Sequence, residues 1–145
     1  MFDQHHIEIP FVGTRPHRAH EGDAGADLFL NEDVVIRPGE TVMVGTGTRI
    51  PLPYGTVGLV AIRSSISLTG LGLANHIGAI DAQYRGEIKL ALRHYGHGGE
   101  PIHLSAGERV AQLLVVPILL PTFIECESLD ETARGEGGFG STGRK

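Results

Sequence analysis

Short apolar runs, each ended after a few residues by glycine or proline, occupy most of this chain and leave little room for helices. Proline fixes φ and glycine permits positive φ, so both favour tight turns. Many short strands at such intervals are typical of an all-β sandwich, barrel or jelly roll. One helical turn is expected over residues 65–68. Strands are predicted over residues 26–30, 34–37, 41–50, 58–62, 87–94, 101–104, 109–116 and 119–125.

The chain has 145 residues, of which 41% are hydrophobic and 20% charged, and this composition fits one folded domain. The apolar run at residues 113–116 indicates a strand covered on both faces, by a second sheet or by a neighbouring subunit. We expect a β domain over residues 1–131 and a flexible glycine-rich tail over residues 132–145. A lone Phe139 among glycines, with Arg134 nearby, would also suit a lid that closes over a ligand.

The charge of the chain limits its partners. A net charge of −5 argues against binding to a nucleic-acid backbone, which requires a basic surface. It is compatible with a nucleotide ligand, because a few arginines are enough to hold one triphosphate. No apolar stretch reaches membrane-span length and the N-terminal sequence lacks the pattern of a signal peptide, so a cytoplasmic location without a membrane partner is expected.

The cysteine and histidines indicate neither a disulfide nor a zinc site. Cys126 is the single cysteine, which excludes an internal disulfide, and a small buried or half-buried thiol is expected. The eight histidines include the nearby pair His94 and His97. No cysteine or acidic cluster accompanies them, and scattered, solvated histidines are therefore expected.

Two segments combine residues suited to nucleotide chemistry. Residues 78–87 read Gly-Ala-Ile-Asp-Ala-Gln-Tyr-Arg-Gly-Glu, and a hairpin here would place Asp81 and Tyr84 at one rim. The same residues could simply form a turn beside a half-buried tyrosine. Residues 63–65, Arg-Ser-Ser, follow a buried strand and could hold phosphate oxygens, or could cap the short helical turn.

Two further segments are weaker when taken alone. Gln112 lies within an apolar strand, where an amide must either find a partner or face a site. Asp23 and Asp27 flank a tight glycine, which suits either a capped turn or a polar site.

Taken together and in this order, these segments resemble the five motifs of the trimeric dUTPase family. The likeness runs from about Arg15 to the C-terminus, and its motifs correspond to residues 23–28, 63–65, 78–88, 107–112 and 134–143. It implies a jelly-roll-like β fold and a homotrimer with active sites at subunit interfaces. It also implies hydrolysis of dUTP to dUMP and pyrophosphate, which lowers dUTP and supplies dUMP for dTMP synthesis. Members often carry a large residue where this chain has Ala26, and serine where it has Asp23.

The resemblance also implies a role for individual residues. Asp81 is similar to the catalytic carboxylate that activates water for attack on the α-phosphorus. Tyr84 would stack under deoxyribose and exclude a 2′-OH. Asn75, with the backbone of Ala79 and Ile80, would pair with the uracil edge.

The remaining carried-over residues concern the phosphates, the lid and the metal. Ser64 would lie near the bridging oxygen between the α- and β-phosphates, where leaving-group charge grows. Mg²⁺ is expected to be held by the phosphates and waters without a direct protein ligand, and Asp27 would reach its water shell. Further phosphate, water or lid contacts are expected from Arg63, Ser65, Lys89, Gln112, Arg134, Phe139 and Gly140.

Two other functions remain as alternatives. A dCTP deaminase shares the fold and an Arg-Ser-Ser motif, but its family resemblance would require a glutamate at the position of Ala91, and its tail lacks the lid sequence. A catalytically silent nucleotide sensor would bind dUTP without releasing pyrophosphate.

Overall fold

The computed structural model describes residues 6–96 and 98–144, so predictions concerning His97 and the outer ends of the expected domain and tail lie outside it. The described chain is built from strands, with one 3₁₀ helix at Ser64–Ile66. The strands are β1 (Val12–Gly13), β2 (Ala26–Phe29), β3 (Val34–Ile36), β4 (Thr41–Gly45), β5 (Thr48–Arg49), β6 (Thr56–Ile62), β7 (Leu71–Leu73), β8 (Gly78–Ile80), β9 (Lys89–His94), β10 (Ile102–Leu104) and β11 (Arg109–Pro117).

Two antiparallel sheets form the main layers. The larger sheet has the order β2-β11-β6-β8, and the second has the order β4-β9-β7. Two short ribbons, β1-β5 and β3-β10, complete the described pairing. Strand β11 is the longest and pairs on both sides, which explains its nearly continuous apolar sequence.

The two sheets share one hydrophobic core. In β9 the side chains of Leu90, Leu92 and His94 are buried, while the intervening residues are more exposed, as the two-residue period of a strand requires. Leu92 is fully buried, and it belongs to the same cluster as Leu28 of β2 and Leu113 of β11. The core therefore fixes the larger sheet against the smaller one.

The expected all-β fold is confirmed, and the helical turn lies where the sequence indicated. The predicted strand over residues 41–50 is divided into β4 and β5, since residues 46–47 leave the ladder. The prediction of a strand over residues 119–125 is wrong for the single chain, where this segment is exposed and forms no ladder. Strands β7 and β8 were not predicted.

Two expectations about single side chains are also wrong. Cys126 is exposed, because it lies in the extended segment that follows β11. His94 is buried rather than solvated, and its Nδ1 accepts a hydrogen bond of 3.0 Å from the backbone N–H of Gly96. Its Nε2 lies 3.3 Å from the carbonyl oxygen of Glu100, so both ring nitrogens have partners. Among residues 6–96 and 98–144 there is no helix with the length and hydropathy of a membrane span.

Candidate active site

Strand β8 and the turn that follows it carry the most specific motif. Strand β8 is at the edge of the larger sheet, paired with β6 on one side only. The backbone of Ala79 and Ile80 therefore has one side without a ladder partner in this chain. Asn75 lies in the turn that enters β8, and Asp81 follows its last residue; both side chains are exposed.

Tyr84 is fixed by the turn it belongs to. Its backbone N–H donates a hydrogen bond of 3.0 Å to the carbonyl oxygen of Asp81. Its hydroxyl donates to the carbonyl oxygen of Glu87 at 2.8 Å. The ring passes directly over Gly86, where a Cβ would collide with it. Asp81 and a pre-positioned aromatic ring are therefore neighbours at one rim. They are joined by a turn and not by the hairpin considered from the sequence, since β8 pairs with β6 while β9 pairs with β4 and β7.

Asp81 and Tyr84 line a hollow of about 390 Å³. Its walls come from the turn before β6, from the Asp81 turn and from the segment after β11. The other lining residues are Tyr54, Gly55, Thr56, Val57, Ala82, Gln83, Ile118 and Leu120. The hollow is open and has an aromatic and aliphatic wall beside a carboxylate, a combination suited to a small organic ligand that carries both apolar and polar groups.

A second hollow, of about 270 Å³, gathers the residues predicted to contact phosphate. Arg63 and Ser64 reach it from the end of β6, and Gln112 reaches it from β11. Asp27 of β2 lies beside them. The remaining lining residues are His17, Ala19, Asp23, Ala24 and Gly25. Guanidinium, hydroxyl and amide groups at one concave surface are the donors that an anionic ligand requires.

Asp27 holds two arginines in this second hollow. The Nε of Arg63 lies 3.0 Å from Oδ1 of Asp27, and Nη1 of Arg109 lies 3.0 Å from Oδ2. Arg63 Nη1 also donates to the carbonyl oxygen of Arg109 at 3.1 Å. The Asp27 residue is only 8% exposed, and the two arginines offset the cost of burying its carboxylate. Arg109 lies inside the fourth motif but had no predicted role, because its contact with Asp27 depends on the pairing of β2 with β11.

Asp23, the other acid of the first motif, caps a turn. Its Oδ2 accepts hydrogen bonds from the backbone N–H of His20 at 3.0 Å and from the His20 ring at 3.2 Å. The backbone hydrogen bond from His20 is the main cause that holds the pKa of Asp23 below its usual value. Of the two interpretations given for Asp23, a capped turn and a polar site, these contacts therefore support the capped turn.

Glu87 is a further residue that the sequence did not single out. Its Oε1 accepts hydrogen bonds from Nδ2 of Asn31 at 2.9 Å and from the backbone N–H of Gly47 at 2.7 Å. The backbone carbonyl oxygen of Glu87 accepts a hydrogen bond from the Tyr84 hydroxyl. Glu87 thus connects the Asp81–Tyr84 turn to two loops of the body of the protein.

The predicted site residues do not all come together in one chain. Asp81 and Tyr84 line one hollow, whereas Arg63, Ser64 and Gln112 line another that shares no residue with it. Lys89 is exposed at the start of β9, opposite Gly45, and Ser65 is exposed in the 3₁₀ helix. Arg134, Phe139 and Gly140 lie in the exposed tail, where the Nε of Arg134 donates to the carbonyl oxygen of Gly137 at 2.9 Å.

Neither a third hollow nor the acidic residues of the described chain provide a further candidate ligand or metal site. A larger hollow of about 430 Å³ lies between residues 6–18 and strands β2 and β11, and none of the predicted site residues lines it. Within the described ranges, no three His, Cys, Asp or Glu side chains are grouped so as to bind a metal ion.

Comparison with known proteins identifies the family of the chain. The family model described as dUTPase matches residues 13–143. The chain belongs to the dUTPase family. A deoxyuridine 5'-triphosphate nucleotidohydrolase of Nocardia farcinica (strain IFM 10152) is 54% identical over 129 residues, covering 88% of this chain and 78% of the relative. The corresponding protein of Corynebacterium diphtheriae is also 54% identical over 129 residues, covering 88% of this chain and 84% of the relative.

A solved dUTPase also shares the fold. A mutant dUTPase of Staphylococcus bacteriophage 80alpha, solved with dUpNHpp, superposes with a TM-score of 0.86 at 28% identity. The superposition covers 94% of this chain and 99% of the phage protein. The resemblance to the dUTPase family stated from the motifs is therefore confirmed, and the matched range contains all five motifs.

Proposed function

We propose that this chain hydrolyses dUTP to dUMP and pyrophosphate by attack of water on the α-phosphorus. The observation that carries the proposal is the dUTPase match over residues 13–143, which includes an exposed Asp81 next to a fixed Tyr84. The reaction lowers dUTP and supplies dUMP for dTMP synthesis. The cytoplasmic location expected from the sequence remains a prediction.

Asp81 is proposed as the general base. Its side chain is exposed at the end of β8, so a water between the carboxylate and the substrate can reach it. Because a positioned base acts through its reach to the proton, its geometry matters more than a shifted pKa. The same carboxylate would contact the 3′-OH of the sugar.

Recognition of the nucleoside is assigned to β8 and its flanking turns. Asn75 and the unpaired edge of β8 at Ala79 and Ile80 offer an amide and backbone groups to the uracil edge. The Tyr84 ring would stack under deoxyribose, and a 2′-OH would find no space. Such a site rejects cytosine because the wrong base leaves buried polar groups unpaired.

The triphosphate is assigned to the Arg63, Ser64 and Gln112 hollow. Arg63 is oriented by Asp27, so its remaining N–H groups have a defined direction. Ser64 would lie near the oxygen that bridges the α- and β-phosphates and would stabilise the charge that develops there. Ser65 and Lys89 are proposed as further contacts to phosphate or water.

The substrate is proposed to bring Mg²⁺ as its complex. Mg²⁺ typically keeps several waters and binds substrate phosphates, so the ion is proposed to be held by phosphate oxygens and waters. Bound there, Mg²⁺ would neutralise phosphate charge. Asp27 already bonds two guanidinium groups, and its remaining acceptor capacity would be available to a water of the metal.

The complete site is proposed to form in a homotrimer. The two hollows are separate in one chain, and the segment after β11 exposes large apolar side chains, among them Leu119, Phe123, Ile124 and Leu129. A contiguous exposed apolar segment of this kind is typical of a surface that another chain covers. Closed cyclic symmetry is the usual form of such an assembly.

The chain is proposed to consist of a β domain over residues 1–131 and a flexible glycine-rich lid over residues 132–145. Arg134 would grip the γ-phosphate, and Phe139 with Gly140 would close over the uracil. Phe139 is fully exposed and free to stack on a base. Closure of such a lid would exclude water other than the attacking molecule.

Pyrophosphate release tests the proposal. Purified protein is incubated with dUTP, dCTP, dTTP or UTP, each with Mg²⁺ or with chelator. We expect release from dUTP that requires Mg²⁺, with little from the other nucleotides. Binding of dUTP without pyrophosphate release would instead indicate a sensor, and ammonia release from dCTP would indicate a deaminase. Light scattering of the same sample tests the trimer.

A further inference from the structure

Tyr95 follows the last residue of β9 and forms hydrogen bonds at both ends of strand β7. One goes to Gly70, just before the strand, and the other to Leu73, its last residue. The backbone N–H of Tyr95 donates a hydrogen bond of 2.8 Å to the carbonyl oxygen of Gly70. Its hydroxyl donates to the carbonyl oxygen of Leu73 at 2.9 Å. The ring between them covers Gly72, where an added Cβ would lie 2.8 Å from Cε2 of Tyr95. The ring thus lies flat along β7 and ends at the start of the β7–β8 turn.

The β7–β8 turn has an unfavourable backbone at His76. The φ of this residue is 60°, in the left-handed region that side chains with a Cβ seldom adopt. The His76 N–H donates to the carbonyl oxygen of Leu73 at 3.0 Å, and the Ile77 N–H donates to that of Asn75 at 2.6 Å. Two consecutive tight hydrogen bonds therefore place Asn75 at the tip of a strained turn.

The Tyr95 ring supports this strained residue from outside. The rings of His76 and Tyr95 are stacked, with centroids 6.3 Å apart and planes inclined by 20°. The guanidinium carbon of Arg93 lies 5.5 Å from the centroid of the Tyr95 ring. Contacts of this kind favour one arrangement of an otherwise unfavourable turn. Loss of the ring would leave His76 free to return to an ordinary φ, and Asn75 would move with it.

We infer that Tyr95 is a positioning residue for pyrimidine selection, acting through His76 on Asn75 without touching the substrate. This inference rests on the proposed function, in which Asn75 pairs with the uracil edge. Uracil offers a donor at N3 and an acceptor at O4, whereas cytosine offers an acceptor at N3 and a donor at its 4-amino group. A fixed amide presents its acceptor and donor to these two positions in one order only, whereas a mobile amide can present them in either order. Rigidity of the turn is thus a source of discrimination against dCTP.

Kinetics of Tyr95→Leu against wild type test the inference. Asp81 is outside this turn, so kcat for dUTP should stay within about twofold while KM rises about tenfold. The inhibition constant of dCTP, measured as a competitor, should change much less, so that the preference for dUTP falls about tenfold. Tyr95→Phe keeps the stacked ring and should retain most of the preference.

Two more variants keep the test decisive if Tyr95→Leu folds poorly. Gly72→Ala displaces the Tyr95 ring without removing it, and His76→Gly adopts the left-handed turn without strain but loses the stack. Gly72→Ala should lower the preference for dUTP because the ring is displaced from the turn. His76→Gly should lower it because glycine, once the stack is lost, leaves many φ values open to the turn. His103→Ala, an exposed histidine of β10, is the matched control and should leave KM and preference unchanged.

The outcomes separate this inference from the proposed function. If wild type hydrolyses dUTP but the folded Tyr95→Leu or Gly72→Ala variant keeps the wild-type preference, Tyr95 has a structural role only and the inference is overturned. Wild type that fails to hydrolyse dUTP would overturn the proposed function, and the inference with it.

Discussion

The hydroxyl of Tyr84 donates a 2.8 Å hydrogen bond to the carbonyl oxygen of Glu87, so the ring is fastened to the turn that also carries Asp81. A ring fastened in this way cannot swing aside to admit a bulkier sugar. Tyr84→Ala should therefore narrow the preference for dUTP over UTP, by about tenfold or more in the ratio of kcat/KM values. Initial rates with both nucleotides check the prediction.

Tyr84→Phe is the control for this variant. It keeps the ring over Gly86 but loses the hydrogen bond to Glu87. The preference should then fall less than in Tyr84→Ala because the ring remains over Gly86, and the part that is lost measures the hydrogen bond to Glu87. If Tyr84→Ala discriminates against UTP as well as wild type does, another residue excludes the 2′-OH.

Asp81→Asn tests the assignment of the base. The amide has nearly the size of the carboxylate but accepts no proton at neutral pH. Turnover should fall by about two to three decades, which corresponds to about 2.7–4 kcal/mol in the activation barrier. Affinity for dUTP should remain within about tenfold because binding contacts are retained. Single-turnover kinetics and equilibrium binding measure the two effects separately, and near-normal turnover would contradict the assignment.

The fold was predictable where a strand carries its own pattern. Strand β9 alternates buried and exposed residues, and β11 carries a long apolar run, so both were found from sequence. Strand β7 has three residues with a central glycine, and it exists because β9 pairs with it. The exposed segment 119–125 has the composition of a strand but no ladder partner within this chain. Strand propensity is local, whereas pairing depends on a distant partner.

The site, like the fold, was predictable only where its contacts are local in sequence. Asp81 and Tyr84 are three residues apart, so one turn brings them together. The contact between Arg109 and Asp27 joins residues 82 positions apart, and the bond from Tyr95 to Leu73 joins residues 22 apart. Local sequence patterns do not reveal such contacts, because the contacts depend on the register in which distant strands pair. For this reason Arg109, Glu87 and Tyr95 emerged only from the structure.

Asp27→Asn should weaken both stability and phosphate binding. It removes the negative charge to which both Arg63 and Arg109 bind. The two arginine side chains are each about one-third exposed, at 31% and 36%. Because solvent screens the arginines in part, a loss of about 1–3 kcal/mol in the free energy of unfolding is expected. Urea unfolding at a fixed protein concentration measures it, since assembly would make stability depend on concentration.

The same variant should also reduce kcat/KM for dUTP, because Arg63 loses its orientation. Glu32→Gln removes an equal charge from an exposed loop and is the control. A double-mutant cycle with Arg109→Gln isolates the coupling between the two residues. Unchanged stability and unchanged kinetics in Asp27→Asn would show that the arginines are held by other contacts.

The tail offers the last test, because its removal should separate catalysis from assembly. Residues 132–144 are almost entirely exposed, and hydrogen bonds such as that from the Gly135 N–H to the Thr132 carbonyl, 3.0 Å, stay within the segment. A chain ending at Glu131 should therefore keep its fold and form the proposed trimer but lose most of its activity, since Arg134 and Phe139 are absent. Light scattering and pyrophosphate release measure the two properties on one sample.

Phe139→Ala in the full chain is the matched variant. It retains Arg134 and should raise KM for dUTP more than it lowers kcat, because stacking on the base is lost. Full activity of the shortened chain would mean that the tail does not act as a lid, and loss of the trimer would mean that it contributes to assembly instead.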